Sequence, residues 1–283
     1  MHVLDIEKAN SSRCKVVLRR YRPGAHRFGT PQHAALEFEI LQIMQGARVP
    51  APRPILLDAD GRYFGVPAMI LSYLPGRPLF TPRDLATWTD GLARSLLGLH
   101  AVTPDRFDLS RLHVFLREGM REEIERRRKE AASGEPLAQE VHATLDATLD
   151  RIDWPSPSLV HDDYWPGNTV WHRGRMVGIV DWTTAEVGDP RADVAQCRVD
   201  LVLTHGPEVA DRFLDSYQAA APERLPDIWF FDLFRGLRAL FSYQRWLTGY
   251  YDLGLTHLSA SDTGSRLRAF LEKTLETAAP RRG

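Results

Sequence analysis

The chain has 283 residues, and its 36 lysines and arginines nearly balance 37 aspartates and glutamates, which leaves a formal charge of −1. A near-neutral charge gives no electrostatic footprint for nucleic acid or for an anionic membrane surface, so we expect neither as a partner. Hydrophobic residues make up 43% and charged residues 26%, a composition that excludes disordered and fibrous classes.

Cysteine use and hydropathy bear on the compartment of the protein. The two cysteines, Cys14 and Cys197, are too few for a disulfide scaffold and are typical of a reducing compartment. No apolar run approaches the roughly 20 residues of a membrane-spanning helix, and residues 1–7 contain no basic segment ahead of an apolar one. We therefore predict a cytoplasmic protein.

The first part of the chain alternates between apolar and polar residues as strands do. Residues 2–6 and 14–21 flank a polar turn and predict a hairpin. A helix is predicted over residues 32–46, where Gly46 stands at a position at which helices commonly end. Its apolar face is expected to consist of Ala35, Phe38, Leu41 and Met44.

A proline-rich segment at residues 49–54 cannot be helical, because each proline also restrains the residue before it. Residues 55–57 and 67–73 then lie on either side of a turn signal, which predicts a second hairpin. The sequence Leu-Pro-Gly-Arg-Pro at 74–78 follows, and we place a lobe boundary there. The predicted division is an N-terminal lobe over residues 1–75 and a C-terminal lobe over residues 76–283.

Helices are predicted for most of the second part. Thr81 is expected to cap a helix that begins at Pro82 and carries an apolar stripe as far as His100. A charge-rich helical stretch over residues 115–153 is interrupted at residues 133–136, and aromatic-rich helices follow. The predicted fold class is α+β, with a small β-rich lobe and a larger, mainly helical lobe.

Polar oxygen ligands follow apolar strands between residues 158 and 182. Asp163 comes after the first of these strands, Asn168 begins the next, and Asp181 ends a third. Such oxygens suit magnesium, which uses a few carboxylate or amide ligands together with substrate phosphates. The gap between Asp163 and Asn168 also matches the catalytic loop of phosphoryl-transfer enzymes, in which the Asp orients the attacking hydroxyl and the Asn binds magnesium.

Three motifs in this region resemble those of the aminoglycoside phosphotransferase and choline kinase family, whose members are related to protein kinases. The family motifs are H-G-D-x-x-x-x-N, I-D-W/F and G-D-P-x-x-D-L-A, and this chain reads H-D-D-Y-W-P-G-N, V-D-W and G-D-P-R-A-D-V-A. Further matching segments lie in family order at residues 16–19, 37–52, 73–76 and 99–101. The resemblance implies a two-lobed protein-kinase-like fold.

The resemblance also implies roles for the matching residues of the larger lobe. Asp163 would be the catalytic base, or the residue that orients the attacking hydroxyl. Asn168 and Asp181 would bind Mg2+, while His161 and Asp193 would support the loop. Taken singly, Asp163, Asn168 and Asp181 could be turn or cap residues, but their joint spacing favours the catalytic interpretation.

In the smaller lobe, the resemblance implies a site for ATP. Arg19 occupies the place of the kinase lysine that reaches the nucleotide phosphates, and Glu37 would hold it from the helix. Strand alternation favours Arg19 over Arg20, whose side chain would point the other way. Ser72, Tyr73 and Leu74 would form the hinge that offers backbone groups to the adenine.

The chain departs from the family pattern in two places. Asp162 replaces the glycine of H-G-D, and it would either tune the neighbouring base or face away and bond the loop backbone. The family's first strand and its small-residue loop, which cover the ATP phosphates, are missing ahead of residue 2. We expect the natural start to lie upstream, and the alternative is an incomplete nucleotide site.

The predicted function is therefore an ATP- and Mg2+-dependent kinase that phosphorylates a hydroxyl of an aminoglycoside-, sugar- or amino-alcohol-like small molecule. One alternative is a catalytically impaired nucleotide-binding or scaffold protein without the phosphate-covering loop. A metal-dependent hydrolase is disfavoured, because no pair of histidines stands at ligand spacing near the carboxylates. The acceptor is left open: Asp227, Asp232 and Asp252 could meet a cationic compound, and Arg235, Arg238 and Arg245 would offset them.

Overall fold

The computed structural model describes residues 1–7, 11–21 and 30–278. An antiparallel four-stranded sheet in the order β1-β2-β4-β3 forms the N-terminal part. Its elements are β1 (His2–Glu7), β2 (Arg13–Arg20), the helix α1 (Pro31–Ala47), β3 (Pro54–Asp58) and β4 (Ala68–Ser72). The antiparallel pairings of β1 with β2 and of β3 with β4 confirm both predicted hairpins, although part of the first turn, at Asn10, lies outside the described residues.

Helix α1 differs from its prediction in its end and in its buried face. It runs past Gly46 to Ala47, and the capping residue Arg48 takes a left-handed φ of 60° and donates its N–H to carbonyls of the last turn. The buried side chains are Ala34, Glu37, Ile40, Leu41 and Met44, whereas Ala35 and Phe38 are only partly buried. The predicted register was wrong because an acidic residue, Glu37, occupies the middle of the buried face, where its carboxylate contacts Arg19 of β2.

The C-terminal part is mainly helical, and two small sheets lie between its helices. Its helices are α2 (Leu85–His100), α3 (Arg117–Ala132), α4 (Pro136–Thr148), α5 (Pro190–His205), α6 (Pro207–Ala220), α7 (Ile228–Asp252) and α8 (Ala260–Ala278). Its strands are β5 (Val114–Phe115), β6 (Ser158–Val160), β7 (Thr169–His172), β8 (Arg175–Ile179) and β9 (Glu186–Gly188). One sheet has the order β5-β9-β6, and β7 pairs with β8 in the other.

The start of α2 lies later than predicted. Asp84, not Thr81, is the cap, because its carboxylate accepts hydrogen bonds from the backbone N–H groups of Ala86 at 2.9 Å and Thr87 at 3.3 Å. The predicted break between α3 and α4 is confirmed. No helix in the described ranges is long and apolar enough to cross a membrane.

Helix α5 forms the centre of the C-terminal core, since it is buried along nearly its whole length and packs against α6, α7 and α8. Strand β6 ends above the first turn of α5. The N-terminal part contacts β8 through the N–H of Ile179, which donates to the carbonyl of Pro50 at 2.8 Å. Just after the predicted lobe boundary, Arg77 forms a β-bridge with Trp171 of β7. The division between residues 75 and 76 stays a prediction.

Candidate active site

The loop after β6 is held by the carboxylate of Asp193, which lies in the first turn of α5. Its two oxygens accept hydrogen bonds from the backbone N–H groups of His161 at 2.7 Å and Asp162 at 2.8 Å. A third contact comes from His100 Nε2 at 3.3 Å. Burial acts to raise the pKa of Asp193, but the hydrogen bond and charge of His100 and the contacts from the loop hold that pKa below its usual value. A buried carboxylate thus fixes the backbone of the loop.

His161 lies beneath the same loop, with its ring centroid 4.8 Å from that of Trp182. Its Nε2 lies 3.0 Å from the carbonyl oxygen of Val180, so Nε2 carries the proton and donates. Burial lowers the pKa of His161, and the ring is therefore neutral. Nδ1 has no hydrogen-bond partner in the described part of the chain. This geometry supports a structural role for His161.

Asp163 and Asn168 are brought together by a short 3-10 turn at Pro166–Asn168. The side-chain amide of Asn168 donates through Nδ2 to Asp163 Oδ2 and to the Asp163 carbonyl oxygen, both at 2.9 Å. Because Nδ2 is directed at Asp163, the Oδ1 atom of Asn168 remains as an acceptor for another group. The amide therefore orients the carboxylate and keeps one oxygen for a cation.

The pKa of the Asp163 carboxyl is shifted toward neutrality. Burial raises its pKa to about 7, and the nearby charge of Asp200 adds to this effect. The hydrogen bond from Asn168 and the charge of Arg238 act in the opposite direction. A carboxyl whose pKa lies near neutrality can be ionised at physiological pH and still accept a proton from a hydroxyl.

Sequence reasoning missed Asp200, a buried residue of α5. Its carboxylate accepts hydrogen bonds from the Tyr250 hydroxyl at 2.5 Å and from Gln196 Nε2 at 2.6 Å. Burial raises the pKa of Asp200 to about 6, although these two hydrogen bonds lower it. The signal available in the sequence is a single acidic residue within the apolar run at 199–203.

Arg19 connects the N-terminal sheet to the residue that follows β8. Its Nη2 donates to Asp181 Oδ1 at 2.8 Å, and its Nε lies 3.2 Å from Glu37 Oε2. The Tyr21 hydroxyl donates to the same Glu37 oxygen. Burial acts to raise the pKa of Asp181, but the charge and hydrogen bond of Arg19 outweigh it, so that pKa is lowered.

Two oxygen atoms satisfy the requirements of the predicted magnesium ligands. Asp181 accepts hydrogen bonds from Arg19 and Thr183, and both go to its Oδ1 atom. Its Oδ2 atom therefore remains available as a ligand, as does Oδ1 of Asn168. Among the described residues, no group of three or more His, Cys, Asp or Glu side chains is arranged to hold a metal ion. Two protein oxygens fit magnesium, which commonly completes its shell with substrate phosphates and water.

The three predicted hinge residues lie at and after the end of β4. Ser72 already bonds Arg53: its N–H donates to the Arg53 carbonyl, and its hydroxyl accepts from the Arg53 N–H, both at 2.8 Å. Tyr73 and Leu74 follow, each half-buried. Arg20 lies away from the site, since its guanidinium donates to the Phe64 carbonyl at 3.1 Å. Strand alternation therefore brings Arg19, not Arg20, to Glu37 and Asp181.

Comparison with known families decides what kind of protein carries this site. The model of the APH phosphotransferase enzyme family matches residues 6–228, which is more than half of the chain. The chain belongs to this phosphotransferase family. The matched region contains Arg19, Glu37, Asp163, Asn168 and Asp181. In the structure, Arg19 contacts both Glu37 and Asp181, and Asn168 contacts Asp163.

Solved structures show that the fold is that of this phosphotransferase family. The aminoglycoside phosphotransferase APH(4)-Ia, in a ternary complex with ADP and hygromycin B, superposes with a TM-score of 0.64 at 16% identity, covering 99% of this chain and 95% of that chain. The choline kinase LicA from Streptococcus pneumoniae gives a TM-score of 0.58 at 16% identity, covering 97% and 90%. The predicted two-lobed α+β fold is confirmed.

The curated relatives match only part of their own length. The homoserine kinase of Rhodopseudomonas palustris (strain BisB18) is 31% identical over 166 residues, which cover 54% of this chain and 47% of that protein. Acyl-CoA dehydrogenase family member 10 of Mus musculus is 24% identical over 196 residues, covering 64% of this chain and 18% of that protein. The chain thus spans less than half the length of the curated relatives that it matches.

The residue that replaces glycine in the family motif has a partner that the sequence did not reveal. Asp162 adopts a left-handed φ of 62°, which aspartate tolerates better than most residues. Its carboxylate accepts a hydrogen bond from Nη2 of Arg235 on α7. The expectation that this carboxylate bonds the loop backbone was therefore wrong. A buried arginine, 73 positions along the chain, compensates its charge instead.

Proposed function

We propose that this chain is an ATP- and Mg2+-dependent kinase that transfers a phosphoryl group to the hydroxyl of a small molecule. The observation that carries the proposal is the pairing of Asn168 with Asp163 in a chain of the phosphotransferase family. Arg19 and Asp181 add a cation and a carboxylate that suit nucleotide phosphates and magnesium. The ADP bound to the APH(4)-Ia relative supports a nucleotide as the phosphoryl donor.

In this proposal, Asp163 accepts the proton of the acceptor hydroxyl while the hydroxyl oxygen forms a bond to the γ-phosphorus and ADP departs. Asn168 holds the Asp163 carboxylate at the correct angle. Asn168 Oδ1 and Asp181 Oδ2 would hold Mg2+, which neutralises charge on the phosphates when bound. Arg19 is kept in place by Glu37, so its fixed charge requires little reorganisation during the reaction.

The acceptor and the compartment belong to the same proposal. The names of the relatives indicate three acceptor classes: hygromycin B for APH(4)-Ia, choline for LicA and homoserine for the kinase of Rhodopseudomonas palustris. All three carry hydroxyl groups. Cys14 and Cys197 are both free thiols, which supports a reducing compartment such as the cytoplasm.

Replacing the base tests the proposal. Asp163→Asn keeps the size of the side chain but cannot accept the proton, so phosphoryl transfer from ATP to hydroxyl acceptors or to water should fall about 10²–10⁴-fold. Nucleotide binding and the melting temperature should be retained. The matched control is Asp146→Asn, an exposed carboxylate on α4. Unchanged turnover in Asp163→Asn would contradict the proposal, and ATP binding without transfer in the natural chain would favour the impaired nucleotide-binding alternative.

A further inference from the structure

Helix α7 carries two arginines, one turn apart, beside the loop that contains Asp163. Arg235 is buried and has acceptors: Nη2 donates to Asp162 Oδ1, and Nε donates to the Ala192 carbonyl at 3.2 Å. Arg238 is half-buried, and its charge acts on both Asp162 and Asp163. Because Arg235 contacts Asp162, the residue next to Asp163, this part of α7 lies close to the place where the acceptor hydroxyl would bind.

Among the described residues, none accepts a hydrogen bond from the Arg238 guanidinium or forms an ion pair with it. The guanidinium lies over the face of Trp246, 6.0 Å from the ring centroid. Burial lowers the pKa of Arg238, and the neighbouring charge of Arg235 lowers it further. A partly desolvated guanidinium without an acceptor is unfavourable for the free protein.

Nearby buried arginines show that the fold supplies acceptors elsewhere. Arg191 bonds both oxygens of Asp189, and Arg198 bonds Asp232 and Asp211. Arg127 of α3, whose charge also reaches Arg238, lies between Glu123 and Glu130. The positive charge of Arg238 is thus not compensated by the described residues, and it suits an anionic ligand that is not part of the chain.

Several carboxylates of this region already have partners within the protein. Asp232 is buried against Arg198, and the partly exposed Asp162 forms an ion pair with Arg235. Asp227 accepts a hydrogen bond from Trp229, and Glu186 contacts His113 at 2.8 Å. The sequence-based expectation that Asp232 could meet a cationic compound was wrong, because a contact within the core already neutralises it.

We infer that the acceptor is a small hydroxy compound with a carboxylate group, and that Arg238 binds this carboxylate while the hydroxyl lies at Asp163. This inference rests on the proposed kinase function and selects one acceptor class within it. A single guanidinium matches one carboxylate through two parallel N–H···O bonds. A phosphate dianion would need further donors, and the neighbouring arginines are already engaged.

Matched acceptor pairs test the inference, because each pair differs by one carboxylate. The pairs are L-homoserine with 3-aminopropan-1-ol, L-serine with ethanolamine, and D-glycerate with ethylene glycol. The natural chain should phosphorylate at least one carboxylate compound with a higher kcat/KM than its partner. In Arg238→Gln, the kcat/KM for that compound should fall about 10- to 100-fold, mainly through KM, while the KM for ATP is unchanged.

The variants separate binding from a general electrostatic effect. If Arg238 only balanced the charges of Asp163 and Asp200, Arg238→Gln would lower turnover equally for both members of a pair, and this result would overturn the inference. Arg238→Lys should retain part of the preference for the carboxylate. The control is Arg245→Gln, an exposed arginine of the same helix that donates to Ser242. Thermal denaturation should show Arg238→Gln to be at least as stable as the natural chain.

Failure of this inference can be told apart from failure of the proposed function. Phosphorylation of only the decarboxylated partners, of choline or of hygromycin B would overturn the carboxylate inference and leave the kinase in place. If no compound is phosphorylated, calorimetry with the complex of ADP and Mg2+ decides. Binding of ADP without binding of any of the three carboxylates would overturn the inference, whereas absence of ADP binding would overturn the proposed function.

Discussion

Arg19 Nη2 lies 2.8 Å from Asp181 Oδ1, a contact between residues that are 162 positions apart in the chain. The contact joins β2 of the N-terminal sheet to the turn after β8. The same guanidinium reaches Glu37 of α1 through Nε. One cation therefore stands between a buried carboxylate and the predicted magnesium ligand, and both depend on it for charge compensation.

Loss of this cation should affect both nucleotide binding and stability. In Arg19→Gln, we expect the KM for ATP to rise at least about tenfold, because a charged contact to phosphate is removed. Glu37, which is 3% exposed, would lose its ion-pair partner, and the free energy of unfolding should fall by about 3 kcal/mol. Steady-state kinetics with varied ATP and urea denaturation measure the two effects.

The neighbouring arginine supplies the control for this experiment. Arg20 lies on the other face of β2 and donates to the Phe64 carbonyl at an exposed position. Arg20→Gln should leave the KM for ATP unchanged. Equal effects of the two substitutions would mean that the charge of the sheet, and not the contact of Arg19 with Asp181, determines ATP binding.

Asp200 should impose a pH-dependent cost on stability. Burial raises its pKa to about 6, above the ordinary value of 3.8, so the folded state binds its proton more tightly than the unfolded state. The stability contribution of the group is therefore lost as pH rises from about 4 through about 6. Between about pH 5 and about pH 8, this loss amounts to roughly 1 kcal/mol.

Asp200→Asn removes the ionisation and should remove this pH dependence. Relative to the natural chain, the variant should become more stable by roughly 1 kcal/mol when pH rises from about 5 to about 8, as measured by urea denaturation. Asp163 adds to this effect, because the charge of Asp200 contributes to its raised pKa and is absent from the variant. The control is Asp146→Asn, and an Asp200→Asn effect of the same size at both pH values would contradict the prediction.

Local sequence signals predicted the elements and the catalytic loop, and the family resemblance predicted the pairing of Arg19 with Glu37, but neither indicated the other partners of charged residues. Turn residues and strand alternation located both hairpins, and the spacing of Asp163 and Asn168 predicted a pair that does form a hydrogen bond. Helix periodicity gave the wrong face of α1, because it counts Glu37 as polar and cannot see Arg19. Only the fold brings these two residues together.

The dependence of contacts on the fold also explains why sequence reasoning missed the partners of the acidic residues near the acceptor. The partner of Asp162 is Arg235, 73 positions away, and Asp200 acts on Asp163 from a different element. No local pattern encodes such contacts. Helix ends were misplaced for a related reason: Thr81 and Asp84 are both good caps by residue type, and only the geometry of the chain selects Asp84.

Gly76 should be intolerant of a side chain. It has a φ of 126°, and a Cβ added there would lie 2.2 Å from the Trp171 carbonyl oxygen. That carbonyl accepts the Arg77 N–H at 3.1 Å in the β-bridge that follows the predicted lobe boundary. Gly76→Ala should therefore destabilise the protein by roughly 2–4 kcal/mol in urea denaturation.

A second glycine provides the comparison for Gly76. Gly98 lies inside α2, and a Cβ there would meet nothing within 4 Å. Gly98→Ala should stabilise the protein by about 0.5–1 kcal/mol, because alanine loses less backbone entropy than glycine in a helix. If both substitutions stabilised the protein, the close approach of Gly76 to Trp171 would be contradicted.

Magnesium-dependent ATP binding tests the proposed kinase function most directly. Calorimetry would titrate ATP into the natural chain and into Asp181→Asn, with Mg2+ and with a chelator. We predict that the natural chain binds ATP more tightly with Mg2+, and that Asp181→Asn loses this dependence while its melting temperature is kept. Absence of ATP binding by the natural chain, or equal binding with Mg2+ and with the chelator, would contradict the proposed nucleotide and metal site.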